Sequence, residues 1–187
     1  MRIDQMNLQV VRTSDQQSQA FAIRTLVYIG EQHCRWREEF DGNDYTATHI
    51  LGCVNDEPVA TARIRWFGDF AKLERLAIRT EFRGKGFAHQ VIQFIVELCA
   101  MKGYTSLYLH AQKRLQHLYE GYGFHQTGEQ FFFSDHAYVE MVSSLDANRS
   151  SLGIQHGPHV LNRPEGAWTE SGILEKSEIR SLIHSEE

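Results

Sequence analysis

LERLAIRTEFRGKGFA, residues 73–88, joins a hydrophobic run to a helical run through two glycines and two cations. Glycine near a helix start gives up more backbone freedom than other residues, so the bare backbone needs a reason. The first amides of a helix have no partner inside it, and with the helix dipole they favour an anion, typically phosphate. Gly84 and Gly86 let the chain approach such a ligand closely, Ala88 leaves room, and Arg83 and Lys85 add positive charge. No Ser or Thr follows Lys85, which excludes a Walker loop. His89 stands where a dinucleotide fingerprint needs its third glycine.

Upstream, residues 7–12 read as a short strand, and Ser14 or Asp15 as the cap of a helix over 15–32 with Phe21, Leu26 and Ile29 near one face. RWREEFDGND (35–44) reads as a polar loop with one helical turn. HILGCV (49–54) and VATARIRWF (59–67) form a hairpin around NDEP, and residues 70–78 are the next strand. Downstream, Phe87, Val91, Phe94, Ile95 and Leu98 make the buried stripe of a helix that ends at Lys102-Gly103. A strand over 104–110, a short helix over 112–121 and two strands over 124–133 and 136–143 follow. Strand, helix, strand across 70–110 implies a parallel pair with a right-handed crossover, whereas the earlier strands are antiparallel. The fold class is α/β, with a mixed, mostly antiparallel sheet. Residues 1–143 read as one domain and 144–187 as an extension, which holds two of the three prolines and seven acids against four Lys/Arg. HGPHVLNRPEGAW reads there as an extended loop, and ILEKSEIRSLI as a short amphipathic helix.

The chain of 187 residues is 42% hydrophobic, enough for a real core. Its net charge of -5, without a basic stripe, argues against a nucleic-acid partner. Cys34, Cys53 and Cys99 have neither disulfide-framework nor zinc-ligand spacing, so reduced thiols, no metal and a cytoplasmic setting are expected. MRIDQMNLQVV lacks the apolar run of a signal peptide, and no stretch approaches the roughly 18 apolar residues of a membrane span.

LERLAIRTEFRGKGFA resembles motif A of the GCN5-related N-acetyltransferases: Arg83, Gly86 and Ala88 fit its Arg/Gln, Gly, Gly/Ala spacing. LHAQKRLQHLYEGYGF (109–124) is similar to motif B, and with SDHAYVEM the pattern looks most like the bacterial ElaA-type subfamily. The resemblance implies acetyl-CoA as cosubstrate. Its pyrophosphate would lie on amides of Arg83, Gly84, Lys85, Gly86, Phe87 and Ala88. Its pantetheine would pair with the edge of Leu76, Ala77 and Ile78, where two strands splay apart, and an amide near Ile78 would polarise the thioester carbonyl. Tyr119 matches the tyrosine that protonates the leaving thiolate. His110 stands where many relatives carry Asn, and would bond pantetheine or act as a base.

Transfer to an amine needs a base, and Glu74 is the expected one. Alternation would place it on the face of Leu76, and burial would raise its pKa. The competing expectation is a glutamate paired with Arg75 or Arg63. Glu38, Glu39, Asp41 and Asp44, with Trp36, Phe40 and Tyr45 nearby, suggest a pocket for a cationic amine, in a small molecule or a peptide. The reading is an acetyl-CoA-dependent N-acetyltransferase; the alternative is a non-catalytic acyl-CoA-binding module on the same fold. Trp168, Ile173 and Leu174 suggest that the extension docks on the sheet edge, at the acceptor channel or against a second copy, which leaves a homodimer open.

Overall fold

A computed structural model describes residues 6–133, 135–146 and 151–184. Residues 1–5 of the N-terminal stretch and Ser134 of SDHAYVEM lie outside it. In chain order the elements are β1 (Asn7–Val10), α1 (Ser14–Arg24), a π-helical turn (Thr25–Glu31), α2 (Trp36–Glu39), β2 (Thr48–Val54), β3 (Glu57–Trp66), β4 (Ala71–Ile78), α3 (Phe87–Met101), β5 (Ser106–Gln112), α4 (Gln116–Glu120), β6 (His125–Phe133), β7 (His136–Ser144), α5 (Gly157–Leu161) and α6 (Ile173–His184). The strands form one seven-stranded sheet in the order β1-β2-β3-β4-β5-β7-β6. Every neighbouring pair is antiparallel except β4 and β5, which run parallel, as the strand-helix-strand pattern requires.

Strand alternation sends neighbouring residues to opposite faces, and the sheet uses both. Ile50 joins the larger core, with Ile64, Leu73, Val91, Ile95, Leu107 and Met141, on the α3 side. Leu51 joins the smaller one, with Ala20, Ile23, Val27 and Ala77, under α1. The stripe expected on α3 is buried at Phe87, Val91, Ile95 and Leu98.

The first helix differs from its reading in three ways. Thr13, not Ser14 or Asp15, is the cap: its Oγ1 accepts from the Gln16 amide at 3.2 Å, and the Gln16 side chain accepts from the Thr13 amide at 3.3 Å. The helix also passes into the π-turn at Thr25, which re-aims everything after it. The buried face is therefore Ala20, Ile23, Arg24 and Val27, and Leu26 is exposed. A fully buried arginine is what an apolar-stripe reading misses.

The extension is folded where the sequence suggested a loop. Pro158 opens the short helix α5, as proline does at a first helical turn. Trp168 packs against the larger core. Leu152 donates its amide to the Met101 carbonyl at 2.8 Å, and Lys102 meets Glu165 at 2.7 Å. Gly166, at φ +77°, lies so close to Val10 that a Cβ would come within 2.6 Å of its side chain, so only glycine fits. The segment thus seats on β1 and the end of α3. Among the described residues, none beyond Tyr138 lines the large cavity described next.

Candidate active site

β4 and β5 pair over Ala71–Leu73 with Leu107–Leu109 and then part. On its other edge β4 carries an extra residue: Thr61 pairs with Ala77 and Arg63 with Glu74, one intervening residue facing two. Arg75 absorbs the bulge at φ +54°. This corrects the simple alternation expected for the strand. Leu76 packs against the larger core, whereas Glu74 faces a cavity of about 510 Å³ on the opposite side. The Arg79 amide donates to the Val59 carbonyl on β3, so the Ile78 amide, one residue back, points to the other edge, into the split.

The split leads to the glycine loop. Gly84 and Gly86 take φ of +73° and +79°, and nothing lies within 4 Å of where their Cβ atoms would sit. Gly86 caps α3 without a side-chain acceptor, and the first backbone bond into the helix comes from Gln90. The amides of Phe87, Ala88 and His89 therefore open the helix toward an anion. Arg83 differs from the expectation that its amide would join this set. That amide donates to the Thr80 carbonyl at 3.2 Å, and its guanidinium holds Glu31, at 2.6 and 2.7 Å, and the Ile78 carbonyl at 2.9 Å. Arg83 ties the loop to the π-turn, and the open amides run from Gly84 onward. Lys85 lies 5.1 Å from the Phe82 ring centre.

The cavity is lined by Glu74, Lys72, Arg65, Arg75, His110 and Tyr28, with an aromatic wall from Phe131, Phe133 and Tyr138. Glu38 lines the cavity and accepts from the Arg35 amide at 3.2 Å, whereas the other acids that suggested a cationic pocket, Glu39, Asp41 and Asp44, are engaged by arginines. Arg24 and Arg63, both fully buried, bind them from within. Arg24 holds Glu39, and Asp44 at 2.6 Å. Arg63 grips Asp41 through two bonds of 2.8 Å and reaches Asp44 at 3.0 Å. Arg75 reaches Glu39 at 2.9 Å and Asp41 at 3.3 Å. Burial pushes the Asp41 carboxyl up, but the Arg63 hydrogen bonds outweigh it and hold the group well below the usual carboxylate range. Burial dominates at Glu39 and raises its carboxyl above the ordinary value, against Arg75 and Arg24.

Glu74 meets Arg63 at 2.8 Å, Arg65 at 3.0 Å and Lys72 at 3.0 Å. Burial alone would raise its carboxyl. The Arg65 hydrogen bond and the charges of Arg63 and Lys72 overcome that, so it lies below the ordinary value rather than above it, as the sequence suggested. The expected pairing with Arg63 is present. Tyr119 is buried against Phe124, and burial pushes its hydroxyl up to about 12. Among the described residues that hydroxyl has no hydrogen-bond partner.

Sequence reading missed Tyr28, whose hydroxyl donates to the Leu76 carbonyl at 2.7 Å and so braces the bulge. It also missed Arg24, and it named Arg63 only as a partner of Glu74, not of Asp41 and Asp44. Arg63 left a sign, as one of two arginines on one face of the strand VATARIRWF.

A family model described as an acetyltransferase (GNAT) domain matches residues 13–145. The chain belongs to the GNAT acetyltransferase family. The protein YyaT of Bacillus subtilis is 32% identical over 146 residues, covering 76% of this chain and 99% of that one. The crystal structure of Escherichia coli ElaA is similar at 27% identity and a TM-score of 0.70, covering 75% of this chain and all of that one, so the ElaA likeness is present in the fold as well. A GNAT acetyltransferase from Elizabethkingia anophelis, solved with acetyl-CoA bound, shares the fold at 14% identity and a TM-score of 0.58, over 76% of this chain and 99% of that one.

Proposed function

We propose that this protein moves an acetyl group from acetyl-CoA directly to a primary amine. The observation that carries this is the uncapped amino end of α3, opened by two left-handed glycines beside the point where β4 and β5 part. The amides of Gly84–Ala88, with Lys85, receive the pyrophosphate, and the pantetheine enters the split along Leu76–Ile78. The Ile78 amide, aimed into that split, polarises the thioester carbonyl.

The amine comes from the cavity side. Its nitrogen lone pair forms the new C–N bond, the carbonyl carbon passes through a tetrahedral state, and the C–S bond breaks with its electron pair on sulfur. Tyr119, kept protonated by burial, donates a hydrogen bond to the departing thiolate. Glu74 serves this reaction by ordering Arg63, Arg65 and Lys72, because an acid so strongly held in its ionised form takes up a proton weakly. Since Glu39, Asp41 and Asp44 are matched by arginines, the cavity fits an amine on an apolar or amphoteric body better than a polyamine, and Phe131, Phe133 and Tyr138 supply the apolar wall. Release of free thiol from acetyl-CoA across a panel of amines tests the reading. Amine-dependent release, strongest for monoamines with an apolar or carboxylate-bearing body, is expected; binding of coenzyme without release by any amine would overturn it.

A further inference from the structure

Resting on that reading, we propose that His110 is the general base for the acceptor amine and that Tyr108 and Glu140 are its positioning residues. Glu74 and His110 are the first residues on β4 and β5 beyond the last paired residues, Leu73 and Leu109, so they flank the point where the strands separate. Both line the cavity. His110 and Tyr108 share a face of β5 through strand alternation, and Glu140 lies directly opposite His110 on β7.

The three side chains form a chain of short bonds. The Tyr108 hydroxyl lies 2.6 Å from Glu140 Oε1 and 2.7 Å from His110 Nε2. A phenol has one proton, and the carboxylate can only accept, so Tyr108 donates to Glu140. Nε2 of His110 then carries hydrogen and donates to the Tyr108 oxygen. Nδ1 keeps its lone pair, and among the described residues no hydrogen bond engages it. The ring edge packs on Phe131, centroids 5.0 Å apart, which restrains its rotation.

Charged groups approach His110 from two neighbouring strands, Lys72 and Glu74 on β4 and Glu140 on β7. Burial first, then Lys72, pull the imidazole below its ordinary value against Glu140 and Glu74, so the ring is neutral near neutrality. A neutral imidazole with an open lone pair is a base; the triply paired Glu74 is a poor one. In the step proposed, an N–H bond of the acceptor breaks and its proton goes to Nδ1, leaving the nitrogen pair for the thioester carbon. The resulting imidazolium is stabilised through Tyr108 by Glu140, 3.6 Å from Nε2.

The test compares wild type with His110→Ala and His110→Asn, using an alkylamine, protonated near neutrality, and an aminooxy acceptor whose nitrogen is already neutral. Loss of a general base costs on the order of 100-fold or more. That deficit is expected with the alkylamine, with less than about 10-fold with the aminooxy compound, and added imidazole restores His110→Ala. Circular dichroism spectra and melting temperatures matching wild type show that both variants are folded. Removing the Glu140 charge with Glu140→Gln lowers the imidazole pKa, so the acid limb of the kcat/KM profile moves to lower pH. Equal deficits with the two acceptors, or variants as active as wild type, would overturn the base assignment alone. A wild type silent toward every amine would overturn the acetyl-transfer reading and this inference with it.

Discussion

Arg63→Met isolates what the buried ion cluster contributes. The side chain is fully buried and holds Asp41, Asp44 and Glu74 together through bonds of 2.8–3.0 Å. Methionine matches the length of the aliphatic stem but removes what is, among the described residues, the only cation bonded to both Asp41 and Glu74, leaving Arg75 on Asp41 and Arg65 and Lys72 on Glu74. Removing one member of a buried ion pair costs up to about 3–5 kcal/mol; here Asp44 keeps Arg24, Glu74 keeps Arg65 and Lys72, and the exposed Asp41 keeps Arg75, so that figure is the ceiling. For a chain of this size that corresponds to a fall in Tm of about 6–20 °C. Urea unfolding followed by circular dichroism gives the free energy directly. A double-mutant cycle of Arg63→Met with Asp41→Asn should give a coupling energy of at least about 0.5 kcal/mol, since the two side chains share two hydrogen bonds. The loss should also depend on pH. The depressed folded-state pKa of Asp41 makes its contribution fully present above the ordinary value of 3.8 and lost as pH falls through the folded value, so the gap between wild type and variant narrows in acid. A loss below about 1 kcal/mol at neutral pH, or a gap independent of pH, would refute the reasoning.

Gly86→Val forces a β-branched residue into φ +79° where no neighbour crowds it, so the damage should fall on the loop: coenzyme affinity drops at least about tenfold while the fold keeps its near-wild-type spectrum, measured by calorimetry and circular dichroism. Tyr119→Phe keeps the buried ring and its contact with Phe124 but removes the hydroxyl. Turnover should fall about 10–100-fold with acetyl-CoA affinity unchanged, and a variant with wild-type turnover would assign the ring to packing alone.

The succession of elements, the parallel pair and the glycine loop were legible because each rests on a local signal: alternation in the strands, three-to-four spacing in α3, and glycine where φ is positive; the seating of β7 between β5 and β6 was not. The bulge at Arg75 was not. Nothing in LERLAI marks a left-handed arginine, and one inserted residue reverses every facing assignment beyond it, which is why Glu74 and Leu76 separate. The acid cluster was visible but its partners were not. Arg24 and Arg63 meet Glu39, Asp41 and Asp44 across 15–22 residues of chain, so what read as an empty acidic pocket is a filled set of ion pairs. The pKa of Glu74 fails for the same reason: burial was foreseeable, while three cations converging on one carboxylate are a tertiary fact. His110, Tyr108 and Glu140 likewise come together through the β5–β7 register, which sequence spacing does not specify.

Coenzyme recognition depends on the amides of Gly84–Ala88 holding a diphosphate. Isothermal calorimetry of the purified protein with coenzyme A and, separately, with pantetheine, which has the same arm without the adenosine and its phosphates, measures what that whole end contributes. Saturable binding of coenzyme A, with pantetheine weaker by at least about 100-fold, is the predicted result. No binding of coenzyme A to folded protein, or equal affinity for the two compounds, would contradict it.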